Sequence, residues 1–163
     1  MKILGIDPGS RTTGYGIIGC QNDRVSYIES GVIRSSRKSY PASLTEMFLE
    51  IEKIIGRYKP DAVAIEEIFF ASNAQSALKL GHARGVILLA VFRSGSPLYE
   101  YSALEVKKAV TGYGRAEKTQ VQKMIMKLLN IKSAPTTDAS DALAVAICHA
   151  HSMSRHKLTE KNV

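Results

Sequence analysis

Aromatic residues are scarce in this 163-residue chain: they make up 7% of it, and tryptophan is absent. Surfaces that bind nucleic acid mainly by stacking bases depend on aromatic side chains, so this composition argues against such a surface. The two cysteines, Cys20 and Cys148, fit neither a zinc-ligand spacing nor a disulfide framework. They indicate reduced thiols in a cytosolic protein.

Long apolar runs are also absent from the sequence. The longest, Val86 to Phe92, is much shorter than the ~20 residues of a membrane-spanning helix. The N-terminus has no apolar region followed by a cleavage site. We therefore expect a cytoplasmic protein without membrane association. Its length predicts one domain over residues 1–155, followed by a polar, disordered tail over residues 156–163.

Acidic residues are fewer than basic ones. The chain has 15 Asp and Glu against 22 Lys and Arg, which gives a net charge of +7 and an isoelectric point near 9.5. A polyanion is a plausible partner, because neutralising its phosphates releases condensed counterions. The alternative is a basic protein whose charge serves only solubility, and charge alone does not separate the two.

Three segments rich in β-branched residues open the chain, joined by short turns that predict a meander of antiparallel strands. Helical and strand patterns then alternate, as in parallel sheets. The predicted strands cover residues 2–7, 14–20, 24–34, 61–67 and 97–101, and the predicted helices cover 43–58, 73–93, 103–110, 117–129 and 136–151. This order predicts an α/β fold with a five-stranded mixed sheet, three antiparallel strands and then parallel strands, flanked by helices.

The helix predicted over residues 43–58 has the clearest signals at its ends. Ser43 and Glu46 have the spacing of a capping box. Gly56 and Pro60 predict the end of the helix.

Acidic residues stand at the ends of predicted elements. Asp7 ends the first strand, Glu66 and Glu67 end the strand at 61–67, and Asp138 and Asp141 share one face of the last helix. Neighbouring parallel strands bring their carboxyl ends to one edge of a sheet, where ligands bind. Because successive strand residues face opposite sides, only one of the two glutamates joins Asp7. The pattern does not say which.

Each of these acids also has an ordinary structural explanation, as a helix N-terminal charge, a turn residue or a solvated strand end. Their coincidence instead favours a site for a hard cation such as Mg²⁺, which relieves the repulsion between close carboxylates. His and Cys are absent from these positions, which argues against zinc. Such a site suits two-metal cleavage of a phosphodiester.

Five motifs of this sequence together resemble the RuvC family of Holliday-junction resolvases. The resemblance covers nearly the whole chain, to about residue 151. The motifs are D-P-G-x-x-x-x-G-[YW]-G at 7–16, I-E-E-I-F at 65–69, N-A-Q-S-A-L-K-L-G-x-A-R-G at 73–85, A-E-K-T-Q-V at 116–121 and D-A-S-D-A-L-A at 138–144.

The resemblance implies a ribonuclease-H-like fold and a homodimer formed through the helix at 73–93. It also implies two Mg²⁺ ions per active site, which Mn²⁺ can replace, and paired symmetric nicks with 5′-phosphates across a four-way DNA junction. The implied partners are the RuvA and RuvB branch-migration proteins, and the implied cut site is a short T-rich sequence. By position, the catalytic and metal-binding acids are Asp7, Glu66, Asp138 and Asp141, although some members of the family carry His where this chain has Asp138.

Four basic residues surround the glycine-bearing loop at 111–115: Lys107, Lys108, Arg115 and Lys118. They fit either a solvated helix face or a DNA-binding surface. By resemblance, Lys107 and Lys118 match positions that contact phosphate beside the metals. The segment at 112–119 has the spacing of a P-loop, but Glu117 stands where its last glycine must lie, so we exclude nucleotide binding there.

Phe69 and Phe70 follow the acidic strand and fit either core or exposed positions. An exposed Phe69 would wedge against unstacked bases at the crossover of a junction.

Two other functions compete with a resolvase. A non-catalytic junction-binding protein on the same fold is disfavoured, because acids that face phosphates weaken binding unless a metal intervenes. An actin-like phosphotransferase also has a first strand that ends in D-x-G. It needs two such domains to enclose ATP, which 163 residues cannot supply.

Overall fold

A computed structural model describes residues 1–22, 24–34, 39–67 and 74–160, with side chains as far as residue 154. Within these residues the chain forms a meander of three strands, then helices and strands that alternate up to the fifth strand, and finally three successive helices. The elements are β1 (Lys2–Asp7), β2 (Thr12–Gln21), β3 (Arg24–Arg34), α1 (Tyr40–Tyr58), β4 (Ala62–Glu66), α2 (Ala74–Ser94), β5 (Leu98–Tyr101), α3 (Ala103–Thr111), α4 (Lys118–Leu129) and α5 (Thr137–Glu160). None of the helices in the described part of the chain combines the length and apolar character needed to cross a membrane.

The strands form one mixed sheet in the order β3-β2-β1-β4-β5. β1, β2 and β3 pair antiparallel, whereas β4 pairs in parallel with both β1 and β5. The five-stranded mixed sheet predicted from the sequence is therefore confirmed.

Alternation along the strands gives the sheet two apolar faces. Leu4 and Ile6 of β1 pack with α1 and α2 on one face, whereas Ile3 belongs to the core formed with α3, α4 and α5 on the other. α5 is buried along its length from Ala142 to Ala150. The sheet is thus covered on both sides, as its parallel half requires.

Three glycines let α5 lie directly on the sheet. A Cβ atom at Gly5 would lie 2.1 Å from the carbonyl oxygen of Ala142, and one at Gly14 would lie 2.0 Å from that of Asp138. A Cβ at Gly16 would meet the Leu143 side chain at 2.7 Å. These distances are far below any real contact, so only glycine permits this approach of α5 to the backbones of β1 and β2.

The predicted capping box at Ser43 and Glu46 is wrong. α1 begins one turn earlier, with Ser39 as N-cap and Pro41 in the first turn, where its fixed φ and missing N–H fit a helix start. The Ser43 hydroxyl instead donates to the Ser39 carbonyl at 3.1 Å. Gly56 lies within the helix, and Lys59 caps the C-terminus in the left-handed conformation, with φ 46°.

The last helix is longer than predicted. We expected the helix to cover residues 136–151 and a polar tail to cover residues 156–163, but α5 continues to Glu160. Residues 151–154 are half-buried, and the Ser154 hydroxyl donates to the Ala150 carbonyl at 3.2 Å, so packing extends beyond the apolar run. Residues 161–163 of the predicted tail lie outside the described residues.

Candidate active site

The register of β1 against β4 decides which glutamate joins Asp7. Gly5 is opposite Ala64, and both face α5. Because side chains alternate, Asp7 and Glu66 face α5 as well, whereas Glu67 is directed to the opposite side of the sheet. The sequence pattern left these two glutamates unresolved, and the backbone geometry selects Glu66.

The first turns of α5 lie over the end of β1. Asp7 is opposite Gly14 in the β1–β2 ladder, and Gly14 is in direct contact with the backbone of Asp138. Asp138 and Asp141, one helical turn apart, are both half-buried. The docking of α5 on glycine therefore brings its acidic turn beside Asp7.

The electrostatics of the site reflect this convergence. Burial raises the pKa of Asp7 to about 7, and the negative charges of Glu66, Asp141 and Asp138 act in the same direction. Burial and Asp141 also raise the pKa of Glu66, while Lys118 and Lys107 oppose the shift. The negative charges of Glu66, Asp141 and Asp138 thus all act on Asp7, and that of Asp141 also acts on Glu66.

Two lysines partly offset this negative charge. The Lys118 ammonium, at the N-terminus of α4, donates to Asp141 Oδ2 at 3.0 Å, and this bond raises the pKa of Lys118. Lys107 of α3 lines the same cavity of about 280 Å³ as Lys118, Asp7, Glu66 and Asp141. Apolar side chains of α3, α4 and α5 form its walls. The cavity therefore brings cationic and carboxylate groups together between apolar walls.

Other predicted site residues have different positions. Asp138 does not line the cavity, although its charge acts on Asp7. Lys108 and Arg115 are exposed beyond the cavity lining. Phe69 lies outside the described residues.

Sequence reasoning missed the part that Gly14 plays in placing Asp138. The available signal was the spacing of Gly14 and Gly16, which lie two residues apart on one face of a strand. Glycine in a strand interior often marks the close approach of another backbone.

The donor set fits a hard cation. All candidate ligands are carboxylate oxygens, which Mg²⁺ and Mn²⁺ prefer. A bound cation would also offset the negative charges that surround the buried Asp7 carboxyl group. Within the described ranges, no three acidic, His or Cys side chains lie close enough to form a metal site as they stand. Holding an ion there would require the carboxylates to rotate from these positions.

This sheet order and the acidic cluster together define a nuclease of the ribonuclease-H-like class. The family model for crossover junction endodeoxyribonuclease RuvC matches residues 3–149. The chain is 54% identical over 164 residues to a protein of that name from Citrifermentans bemidjiense, and the match covers 100% of this chain and 99% of the relative. It is 56% identical over 153 residues to another from Geobacter sp. strain M21, which covers 93% of each chain.

A solved structure of Thermus thermophilus RuvC in complex with a Holliday junction substrate has a TM-score of 0.90 to this chain. Their sequences are 32% identical, and the match covers 96% of each chain. The chain belongs to the RuvC family of crossover junction endodeoxyribonucleases. This membership confirms the resemblance inferred from the motifs.

Proposed function

We propose that the protein resolves four-way (Holliday) DNA junctions during recombination and repair by paired symmetric nicks, with divalent metal ions at the acidic site. The metal-holding acids in this proposal are Asp7, Glu66, Asp138 and Asp141. The observation that carries it is the convergence of Asp7, Glu66 and Asp141 on one cavity with Lys107 and Lys118. The junction bound to the Thermus thermophilus relative supports the choice of substrate.

The chain's own residues divide the work of cleavage. Two Mg²⁺ ions, or Mn²⁺ in their place, would supply an activated water and stabilise the leaving oxygen. Asp7 and Glu66, on rigid strand ends, offer fixed oxygen ligands, and Asp141 becomes available when Lys118 moves from it to a phosphate. Lys107 and Lys118 then hold the scissile phosphate against the acids, which would otherwise repel it.

A wider basic surface would guide the DNA. Lys108 and Arg115 lie beyond the cavity and are exposed, so their charges are available to flanking phosphates. We also propose that Phe69 acts as a wedge against unstacked bases. We further propose 5′-phosphate products, a preference for a short T-rich sequence, action in the cytoplasm, and cooperation with the RuvA and RuvB branch-migration proteins.

A homodimer through residues 73–93 completes the proposal. α2 exposes Leu78, Leu89 and Phe92, whose exposed fractions are 63%, 53% and 86%. On the same face, a Cβ at Gly81 or Gly85 would meet no atom within 4 Å, so this surface is open to close approach by a second helix. A two-fold dimer offers two equivalent active sites to the two equivalent strands of a junction.

A non-catalytic junction-binding protein remains the alternative, and the electrostatics of the site disfavour it. A protein that only binds DNA gains nothing from burying Asp7 beside three other acids, because these charges repel phosphate and cost free energy.

The direct test is cleavage of a synthetic four-way junction by the wild-type protein and by Asp7→Asn, with Mg²⁺ or with EDTA. We expect the wild type to cut only with Mg²⁺ and Asp7→Asn to bind the junction without cutting it. A linear duplex of the same sequence controls for structure selectivity. Cutting by Asp7→Asn at the wild-type rate would remove Asp7 from the proposed mechanism.

A further inference from the structure

The side chain of Arg84 connects helix α2 to the strand end that carries Glu66. Its Nη1 donates to the backbone carbonyl oxygen of Glu66 at 2.9 Å, and its Nη2 forms a salt bridge with the Glu100 carboxylate on β5. The side chain is only 17% exposed. Arg84 therefore spans from one face of the sheet to the edge where the acids converge.

Backbone pairing holds Glu66 less completely than the residues before it. The ladder between β1 and β4 ends at Ile6 and Ile65, whereas β5 continues opposite Glu66 at Tyr101. The Glu67 N–H donates to the Tyr101 carbonyl at 2.8 Å. On the β1 side, Glu66 is beyond the last strand pair.

The bond from Arg84 fixes the other end of the same peptide group. The peptide plane between Glu66 and Glu67 is held by β5 through its N–H and by Arg84 through its carbonyl oxygen. Holding both ends restrains ψ of Glu66, and with it the direction in which the carboxylate leaves the backbone. Hydrogen bonds from a charged donor are among the stronger ones, so this restraint is substantial.

We propose that Arg84 is a positioning residue for Glu66, which holds the carboxylate toward the metal site and ties that site to the α2 surface. The inference rests on the proposed function of Glu66 and of α2. Arg84 lies next to Gly85, on the helix whose exposed face is the proposed dimer contact, so its bond links that helix to the Glu66 backbone.

The test measures Mn²⁺ binding to the full-length protein without DNA, by electron paramagnetic resonance, in wild type, Arg84→Ala and Arg84→Lys. Residues that orient metal ligands typically contribute 10–100-fold to affinity, so Arg84→Ala should weaken Mn²⁺ binding about tenfold. Arg84→Lys keeps the charge but cannot bridge Glu66 and Glu100 together, so its loss should be intermediate. It also serves if Arg84→Ala does not fold.

A second readout is the Mg²⁺ concentration for half-maximal junction cleavage. It should rise about tenfold in Arg84→Ala, with the maximal rate largely restored at saturating Mg²⁺. A merely structural defect would lower the rate equally at every Mg²⁺ concentration. Arg93→Ala is the matched control, because Arg93 lies on the same helix and forms a salt bridge at 3.3 Å with Glu52, which does not line the cavity of Asp7 and Glu66. It should keep wild-type Mn²⁺ affinity.

The outcomes separate this inference from the function it rests on. If the wild type cleaves, Glu66→Gln does not, and both Arg84 variants bind Mn²⁺ and respond to Mg²⁺ as the wild type does, the positioning role of Arg84 is wrong. If the wild type does not cleave junctions, or Glu66→Gln cleaves normally, the proposed function itself fails.

Discussion

At the scale of the residue, the charge on Asp7 should work against folding when no metal is present. Burial and three acids raise its pKa from 3.8 to about 7. Between these values the folded state binds a proton that the unfolded state has lost, so stability falls as pH rises from about 4 to about 7. The buried Asp7 carboxylate therefore lowers the stability of the metal-free protein and favours a bound cation.

Asp7→Asn should consequently stabilise the metal-free protein at high pH. We expect the variant to exceed the wild type by about 2 kcal/mol in free energy of unfolding at pH 8, and by little at pH 4. Urea unfolding in EDTA across this range measures the difference. A difference that does not change with pH would contradict the assigned burial of the Asp7 charge.

Residue types and spacing predicted much of the site but not its contacts. The positions of Asp7, Asp138 and Asp141 at element ends predicted that they would lie close together. The choice between Glu66 and Glu67 required either the family resemblance or the strand register. Arg84 gave no signal about its partner, since its bond joins a helix to a backbone carbonyl 18 residues away in sequence.

At the scale of the element, α5 depends on glycines in the sheet for its position. Gly14→Ala would place a Cβ 2.0 Å from the Asp138 carbonyl oxygen, which belongs to rigid helix backbone that cannot move independently. The first turn of α5 must then shift away from Asp7. We expect a loss of about 2–3 kcal/mol in free energy of unfolding, as for overpacked cores, together with slower cleavage.

Gly56→Ala is the matched control for Gly14→Ala. Gly56 lies within α1, and a Cβ there would meet no atom within 4 Å. Alanine should therefore stabilise the protein, by about 0.5–1 kcal/mol, through its higher helix propensity. Thermal unfolding of both variants is the measurement, and equal effects at the two positions would argue against close docking of α5.

Element order was more predictable than element ends. Apolar periodicity identified the strands and helices in the correct order, because burial imposes that period. The start of α1 was misplaced, since the helix begins after Ser39 with Pro41 in its first turn, one turn before the capping-box spacing at Ser43. The end of α5 was misplaced because half-buried polar residues such as Ser154 continue a helix without an apolar pattern.

At the scale of the whole molecule, the exposed apolar face of α2 predicts a dimer that a single charge would disrupt. Leu89→Arg places a cation in this face, where it would be buried without a partner in the dimer. We expect sedimentation equilibrium to show a dimer for the wild type and a monomer for the variant. Leu104→Arg, at another exposed leucine on α3, should stay dimeric; a monomeric wild type would contradict the proposed interface.

The central claim is that acids gathered at one edge of the sheet enable the protein to cut DNA junctions. The most direct measurement is single-turnover cleavage of a four-way junction in Mg²⁺ by Glu66→Gln and Glu67→Gln, two adjacent glutamates that face opposite sides of the sheet. We predict that Glu67→Gln cuts within about threefold of the wild type and that Glu66→Gln loses at least about 10²-fold in rate. Cleavage by Glu66→Gln at the wild-type rate would contradict the account.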